Sequence, residues 1–206
     1  MSAAAIPGDL VAGFADPALA AQEVFRAVLA AMAAPGTIVA LPSGGHVAPD
    51  APLPPAAAAI ALTLADFETP VWLSPSLARA APWLRFHSGA PVAASPAAGR
   101  FAFATAGDCP PLDTFDLGTD AYPDRSTTAV IEVAALGTGA AVSLTGPGLR
   151  APAALRVVGL DGAFWTARER LAALFPRGVD VVLTSGSSLA ALPRTTRAAN
   201  AQAQGG

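Results

Sequence analysis

The sequence predicts an α/β domain with a mixed sheet flanked by helices. Segments of helical periodicity alternate with short apolar, β-branched runs along the first half of the chain, the pattern of strands joined by crossover helices. Later runs are separated by only a few turn residues, as in antiparallel pairs. Apolar residues make up 53% of the 206 and mean hydropathy is +0.49, so the chain can bury a core and is not disordered. Its length sits near the roughly 100–200 residues of one domain. Residues 1–197 read as a single unit and 198–206 as a flexible, polar C-terminal tail.

The elements follow in order. Asp16 is a good N-cap and Pro17 suits the first helical position, where a missing N–H costs nothing. Phe25, Val28, Leu29 and Met32 then recur at helical spacing, with Gln22, Glu23 and Arg26 on the opposite face, until Pro35-Gly36 stops the helix. Residues 37–41 read as a short strand, and 42–55 as a Gly/Pro loop holding a solvated His46. Residues 56–65 are alanine-rich and helical, with Ile60, Leu62 and Leu64 inward. After a turn at 66–69, residues 70–73 form a strand, 76–86 a helix and 101–104 a further strand. Residues 107–124 are the longest irregular stretch. Strands at 127–135 and 140–144 are expected to pair as a hairpin across Gly137-Thr138-Gly139. A helix at 163–174 should carry Arg168, Glu169 and Arg170 toward water, and strands at 179–183 and 189–192 close the fold around a turn at 184–188.

Composition narrows the function. Twelve basic residues against fifteen acidic give a net charge of −3, so no basic excess exists to neutralise a nucleic-acid backbone. Every basic residue is arginine; without lysine, no ε-amine is available as a Schiff-base nucleophile or a phosphate-loop cation. What remains is a permanently charged fork suited to carboxylates or phosphates. Cys109 is alone, and His46 and His87 have no second ligand at metal spacing, so a structural zinc site and an iron–sulfur cluster are not expected. The longest apolar runs are broken by proline short of the roughly 18 residues a spanning helix needs. Residues 1–10 have no positive charge of the secretory kind. A cytoplasmic protein without membrane or nucleic-acid partners is expected.

Local motifs are few. Gly146-Pro147-Gly148 lacks the third glycine of a dinucleotide fingerprint, and Pro147 deletes an N–H that a phosphate would need, so it reads as a turn. The Thr184–Ser188 run, Thr-Ser-Gly-Ser-Ser, fits either a hairpin turn or an anion cradle, with the turn favoured. Arg85 and His87 lie close together where a helix should end, which suits either the helix dipole or an anion. Asp124-Arg125-Ser126 precedes a core strand, and Arg194-Thr195-Thr196 follows one.

Ordered blocks go further. Met32-Ala33-Ala34-Pro35-Gly36, Leu62-Thr63-Leu64-Ala65-Asp66, Thr69-Pro70-Val71-Trp72-Leu73-Ser74 and Leu84-Arg85-Phe86-His87 come first. Tyr122-Pro123-Asp124-Arg125-Ser126, Leu144-Thr145-Gly146-Pro147-Gly148, Phe175-Pro176-Arg177-Gly178-Val179-Asp180 and Pro193-Arg194-Thr195-Thr196 follow. In this set the chain resembles the H-subunit family of the bacterial carbon–phosphorus lyase system. The resemblance implies a fold like the large domain of PLP-dependent transferases but without PLP or any other cofactor. It also implies a homodimer when isolated, and the G, I and J subunits as partners in organophosphonate breakdown. The assembly converts ATP and methylphosphonate to ribose 1-methylphosphonate 5-triphosphate with release of adenine, and radical C–P cleavage belongs to J. The family assigns no catalytic residue here. Arg85, His87, Arg125, Arg194, Thr195 and Thr196 are therefore carried forward as candidates for an anion or partner surface. A stand-alone enzyme on a phosphorylated small molecule, or an assembly factor, are the alternatives.

Overall fold

Strands β2 (Val71–Leu73), β3 (Phe101–Thr105), β4 (Thr128–Glu132) and β7 (Asp180–Ser185) run parallel and in register, Phe101 opposite Val71 and Thr128, and Thr128 opposite Asp180. β8 (Ser188–Leu192) folds back antiparallel on β7, and β1 (Val39–Ala40) pairs antiparallel with β8. The result is a six-stranded mixed sheet in the order β1-β8-β7-β4-β3-β2. The computed structural model describes residues 11–200.

Successive side chains of these strands enter two cores, as a sheet covered on both faces requires. Val71, Phe103, Val130, Val182 and Leu189 point to one, and Ala102, Ile131, Val181, Leu183 and Leu192 to the other. Helices α1 (Pro17–Ala33), α2 (Pro55–Leu64) and α3 (Ala81–Ser88) cover the first face. The second is covered by α4 (Gly162–Ala172) and by an antiparallel sheet of β5 (Ala135–Thr145), β6 (Ala153–Val158) and β9 (Arg197–Asn200), ordered β6-β5-β9. The irregular stretch after β3 packs under this layer through Leu112 and Phe115, both buried.

Asp16 caps α1 as expected, accepting the Leu19 amide at 3.2 Å. The buried face of α1 differs from expectation: Ala20, Val24, Ala27, Val28 and Ala31 point inward, while Phe25 and Leu29 are half-exposed. α2 is the cause, because Ala56 through Ala61 are all buried, and only small residues on both helices let the backbones approach this closely. Leu62 and Leu64 pack only at the edge of that core.

Three corrections concern the C-terminal half. β4 and β5 form no hairpin: β4 lies between β3 and β7, and the chain passes through Val133 and Ala134 into the second sheet. Gly137 and Gly139 (φ 84° and 87°) instead sit within β5, at an irregularity between Leu136 and Ala141 where β5 slips against β6. β6 and β9 add strands beyond those expected. β9 pairs Arg197 with Thr145 and Ala199 with Ser143, so the sheet continues past residue 197; residues 201–206 lie outside the described ones. Arg168, expected in water, is 1% exposed. It lies one helical turn from both Trp165 and Leu171, so it shares their inward face.

Candidate functional site

The candidate residues fall in two places. Arg194, Thr195 and Thr196 follow β8 at the amino-terminal edge of the parallel strands. The Arg194 guanidinium grips Asp180, the first residue of β7, with Nε at 3.2 and 3.3 Å from the two carboxylate oxygens and Nη2 2.5 Å from Oδ2. The Arg194 amide also donates to Asp180 Oδ1 at 2.6 Å, and Nη1 donates to the Pro123 carbonyl. The loop carrying Arg125 is thereby tied to β7. Both partners are less than a fifth exposed, so this pair is screened far less than a surface bridge. Arg125 itself is exposed and lies 4.2 Å over the Tyr122 ring, a cation–π contact rather than a pair with Asp124.

Beneath this cluster lies a residue that periodicity misplaced. Arg168 reaches from α4 to donate to the carbonyls of Val179 (2.5 Å), Leu192 (3.0 Å), Pro193 and Thr196 (3.4 Å). It closes the ends of β7 and β8 and the turn to β9 around one guanidinium. Burial lowers it to about 10, while Asp180 and Glu169 favour its charge and Arg194 opposes it; it remains a cation at neutral pH. Thr196 is fully buried, its hydroxyl without a hydrogen-bond partner, and Thr195 is half-buried.

Arg85 and His87 occupy the last turn of α3, whose C-cap is Gly89 at φ 72°. The structure does not bring their side chains to a common anion. His87 packs tilted against Trp83 and edge-to-face with Phe86, both with centroids at 5.0 Å, and its Nε2 bonds the Val11 carbonyl at 3.0 Å. Trp83 Nε1 donates to that same carbonyl at 2.9 Å, so both rings hold the segment leading into α1. Arg85 is exposed and makes no side-chain hydrogen bond or ion pair among the described residues.

The opposite, carboxyl edge of the parallel strands carries a polar row of which the sequence reading singles out only the Thr184–Ser188 run. Asp108 Oδ1 accepts the Thr105 hydroxyl at 2.7 Å and its Oδ2 the Ser76 amide at 2.8 Å. Glu132 accepts the Thr184 hydroxyl at 2.5 Å and the Gly186 amide at 3.2 Å. The Gly186 amide of the 184–188 run is thus spent on a carboxylate, and the run is the hairpin turn between β7 and β8. Position is the signal that could have found this row: each member ends, or directly follows, a parallel strand, where open α/β sheets collect their functional groups.

Burial raises the Asp108 carboxyl, but the bonds from Ser76 and Thr105 outweigh it and bring it from 3.8 to about 2. A depressed carboxyl contributes stability that is complete above the unfolded value and lost as pH falls through the folded one. Asp108→Asn should therefore be less stable than the parent at pH 7, with the gap closing between about pH 4 and 2. Urea unfolding at both ends of that range checks this; a constant gap would contradict it.

Beside Asp108 a cleft of about 260 Å³ opens between the loop after β3 and the start of α4, lined by Cys109, Pro110, Leu160, Asp161, Ala163 and Phe164 among others. Burial and the charge of Asp108 push the Cys109 thiol up to about 12, so it is a neutral wall and not a nucleophile at physiological pH. Among the described residues no group of three or more His, Cys, Asp or Glu side chains is placed to hold a metal ion, and no helix is long and apolar enough to cross a membrane.

Residues 12–199 match the family described as bacterial phosphonate metabolism protein (PhnH). The chain belongs to the PhnH family. A PhnH-family relative from Rhizobium meliloti (strain 1021), alpha-D-ribose 1-methylphosphonate 5-triphosphate synthase subunit PhnH, is 46% identical over 190 residues, covering 89% of this chain and 92% of that protein. A second relative, the putative C-P lyase subunit protein HtxG of Stutzerimonas stutzeri, is 42% identical over 80 residues, 39% of this chain and 41% of its own. The PhnH match spans α1 to β9, so it contains the arginine cluster, the α3 pair and the carboxyl-edge row alike.

Proposed function

We propose that this chain is a subunit of the assembly that makes ribose 1-methylphosphonate 5-triphosphate from ATP and methylphosphonate, working with G, I and J subunits in the cytoplasm. The observation that carries this reading is the 46% identity, over nearly the whole of both chains, to a relative named as a subunit of that synthase. The chemistry of the chain supports a role through partners. Asp180, Asp108 and Glu132 hold hydrogen bonds from their own chain, and Arg168 spends its Nη1 and Nη2 donors on carbonyls. These groups set the geometry of the scaffold.

Exposed apolar side chains supply surface for association. Leu19, Phe25 and Leu29 of α1 and Ile38 before β1 are each at least two-fifths exposed, which supports a homodimer in the absence of partners. Arg125 and Arg85, with free guanidinium faces, suit a carboxylate of a partner or a phosphonate in passage. The mixed sheet between two layers is compatible with kinship to the large domain of PLP-dependent transferases. With no lysine, the chain offers no side-chain amine to anchor that cofactor.

Growth on methylphosphonate as sole phosphorus source tests the reading in a host deleted for its own H subunit. The parent chain should restore growth, and Arg194→Ala should not, because the loop holding Arg125 is released. His87→Ala should weaken it. Restoration by both variants at parental rate would remove these residues from the working surface, and failure of the parent chain would refute the proposal.

A further inference from the structure

The connections of the large sheet part company at β2 and β3. The chain leaving β2 crosses the first face through Leu77, Trp83 and Leu84, whereas the chain leaving β3 crosses the second through Leu112 and Phe115. Divergence of that kind opens a crevice outside the carboxyl ends of the strands, the place where open α/β sheets bind ligands. The 260 Å³ cleft opens on the β3 side of that edge, between the loop after β3 and the start of α4, and no residue of the connection after β2 lines it. Ala106 donates to the Glu132 carbonyl at 2.8 Å and Ala134 to that of Val158 at 2.9 Å, which brings the ends of β3, β4 and β6 together at its base.

The walls decide what fits. Pro110, Leu160, Ala163 and Phe164 are apolar, and Phe164 is held edge-on by Trp165 at 5.1 Å and 89°. Asp161 brings the lone carboxylate of the lining; Oδ1 caps α4 by accepting the Phe164 amide at 2.9 Å, and Oδ2 has no protein donor. No arginine or histidine lines the cleft, so a phosphate or phosphonate would meet a carboxylate with no compensating cation. The size is just below the roughly 300–1,000 Å³ of clefts for drug-sized ligands, enough for one bicyclic ring and too small for a whole nucleotide.

We propose that this cleft binds a neutral, flat heterocycle carrying N–H donors, of the aminopurine class, with the ring against Phe164 and its amine on Asp161. The choice of an aminopurine among such rings rests on the synthase-subunit reading above; the neutrality, flatness and donor requirement rest on the cleft. Any anionic part attached to the ring must project out of it.

Calorimetric titration of the full chain with adenine, purine and inorganic pyrophosphate tests this. Adenine should bind, purine (which lacks the exocyclic amine) should bind less tightly, and pyrophosphate should not bind at the cleft. Ala163→Phe, at an exposed position on the first turn of α4, should fill the cleft and weaken adenine binding by more than about tenfold. Asp161→Asn keeps a good helix cap and should erase the difference between adenine and purine. No adenine binding, adenine binding that Ala163→Phe leaves unchanged, or equal binding of pyrophosphate would each overturn the proposal. Co-purification with partner subunits is measured on the same variants. Intact assembly without adenine binding refutes the cleft alone, and failed assembly of the parent chain refutes the proposed function.

Discussion

Arg168→Leu should cost about 3–5 kcal/mol of unfolding free energy, the loss typical of breaking a buried charged network. The leucine fills part of the volume but leaves the carbonyls of Val179, Leu192, Pro193 and Thr196 without the donor they share. At about 2–4 °C per kcal/mol for a chain of this size, the thermal midpoint should fall by roughly 6–20 °C. Arg168→Lys should recover only part of this, because a single ammonium cannot span acceptors that a planar fork reaches from Nη1 and Nη2. Urea denaturation of both variants reads the effect. A Leu variant within about 1 kcal/mol of the parent would mean that the bonds around this guanidinium contribute little beyond their desolvation cost.

Trp83→Ala carries the other large effect. The indole is 2% exposed in the core over the first sheet face, so its removal should cost about 3–5 kcal/mol. It also removes one of the two donors on the Val11 carbonyl. Trp83→Phe separates these contributions: it keeps most of the apolar volume and loses the N–H, and should cost nearer 1 kcal/mol. In the Ala variant a protease should cut ahead of α1 faster than in the parent, since the His87 bond is then the sole side-chain hydrogen bond on the Val11 carbonyl among the described residues. Equal cleavage in parent and variant would show that the clamp on Val11 adds nothing to the packing.

The elements that local chemistry governs were legible. The Asp16-Pro17 start of α1, the alanine-rich α2, the helix end near Arg85 and His87 and the β7–β8 hairpin all follow from caps, breakers and short-range pattern. The misreadings share a cause, which is that a side chain's direction depends on what packs against it. Phe25 and Leu29 are more apolar than Ala20, Ala27 and Ala31, yet the close approach of α2 selects the smaller face. Arg168 sits inward because strand-end carbonyls await it, and nothing in its own segment announces them. β4 and β5 are neighbours in sequence but belong to different sheets, a choice made by β7, about fifty residues later. The candidate residues met the same limit. Sequence blocks marked Arg125 and Arg194, which the structure links through Pro123, and His87, which it assigns to Val11. The sequence marks Thr184 only as part of a turn or cradle, and its place in a row with Asp108 and Glu132 emerges once parallel register sets strand ends side by side.

Reconstitution tests the account most directly. The purified chain is mixed with G, I and J subunits of the proposed assembly, passed over a size-exclusion column, and assayed for adenine release from ATP with methylphosphonate. The account predicts that the chain moves into the large assembly, and that it releases no adenine when alone. A chain that stays in its own peak while the others assemble and react, or one that releases adenine unaided, would contradict it.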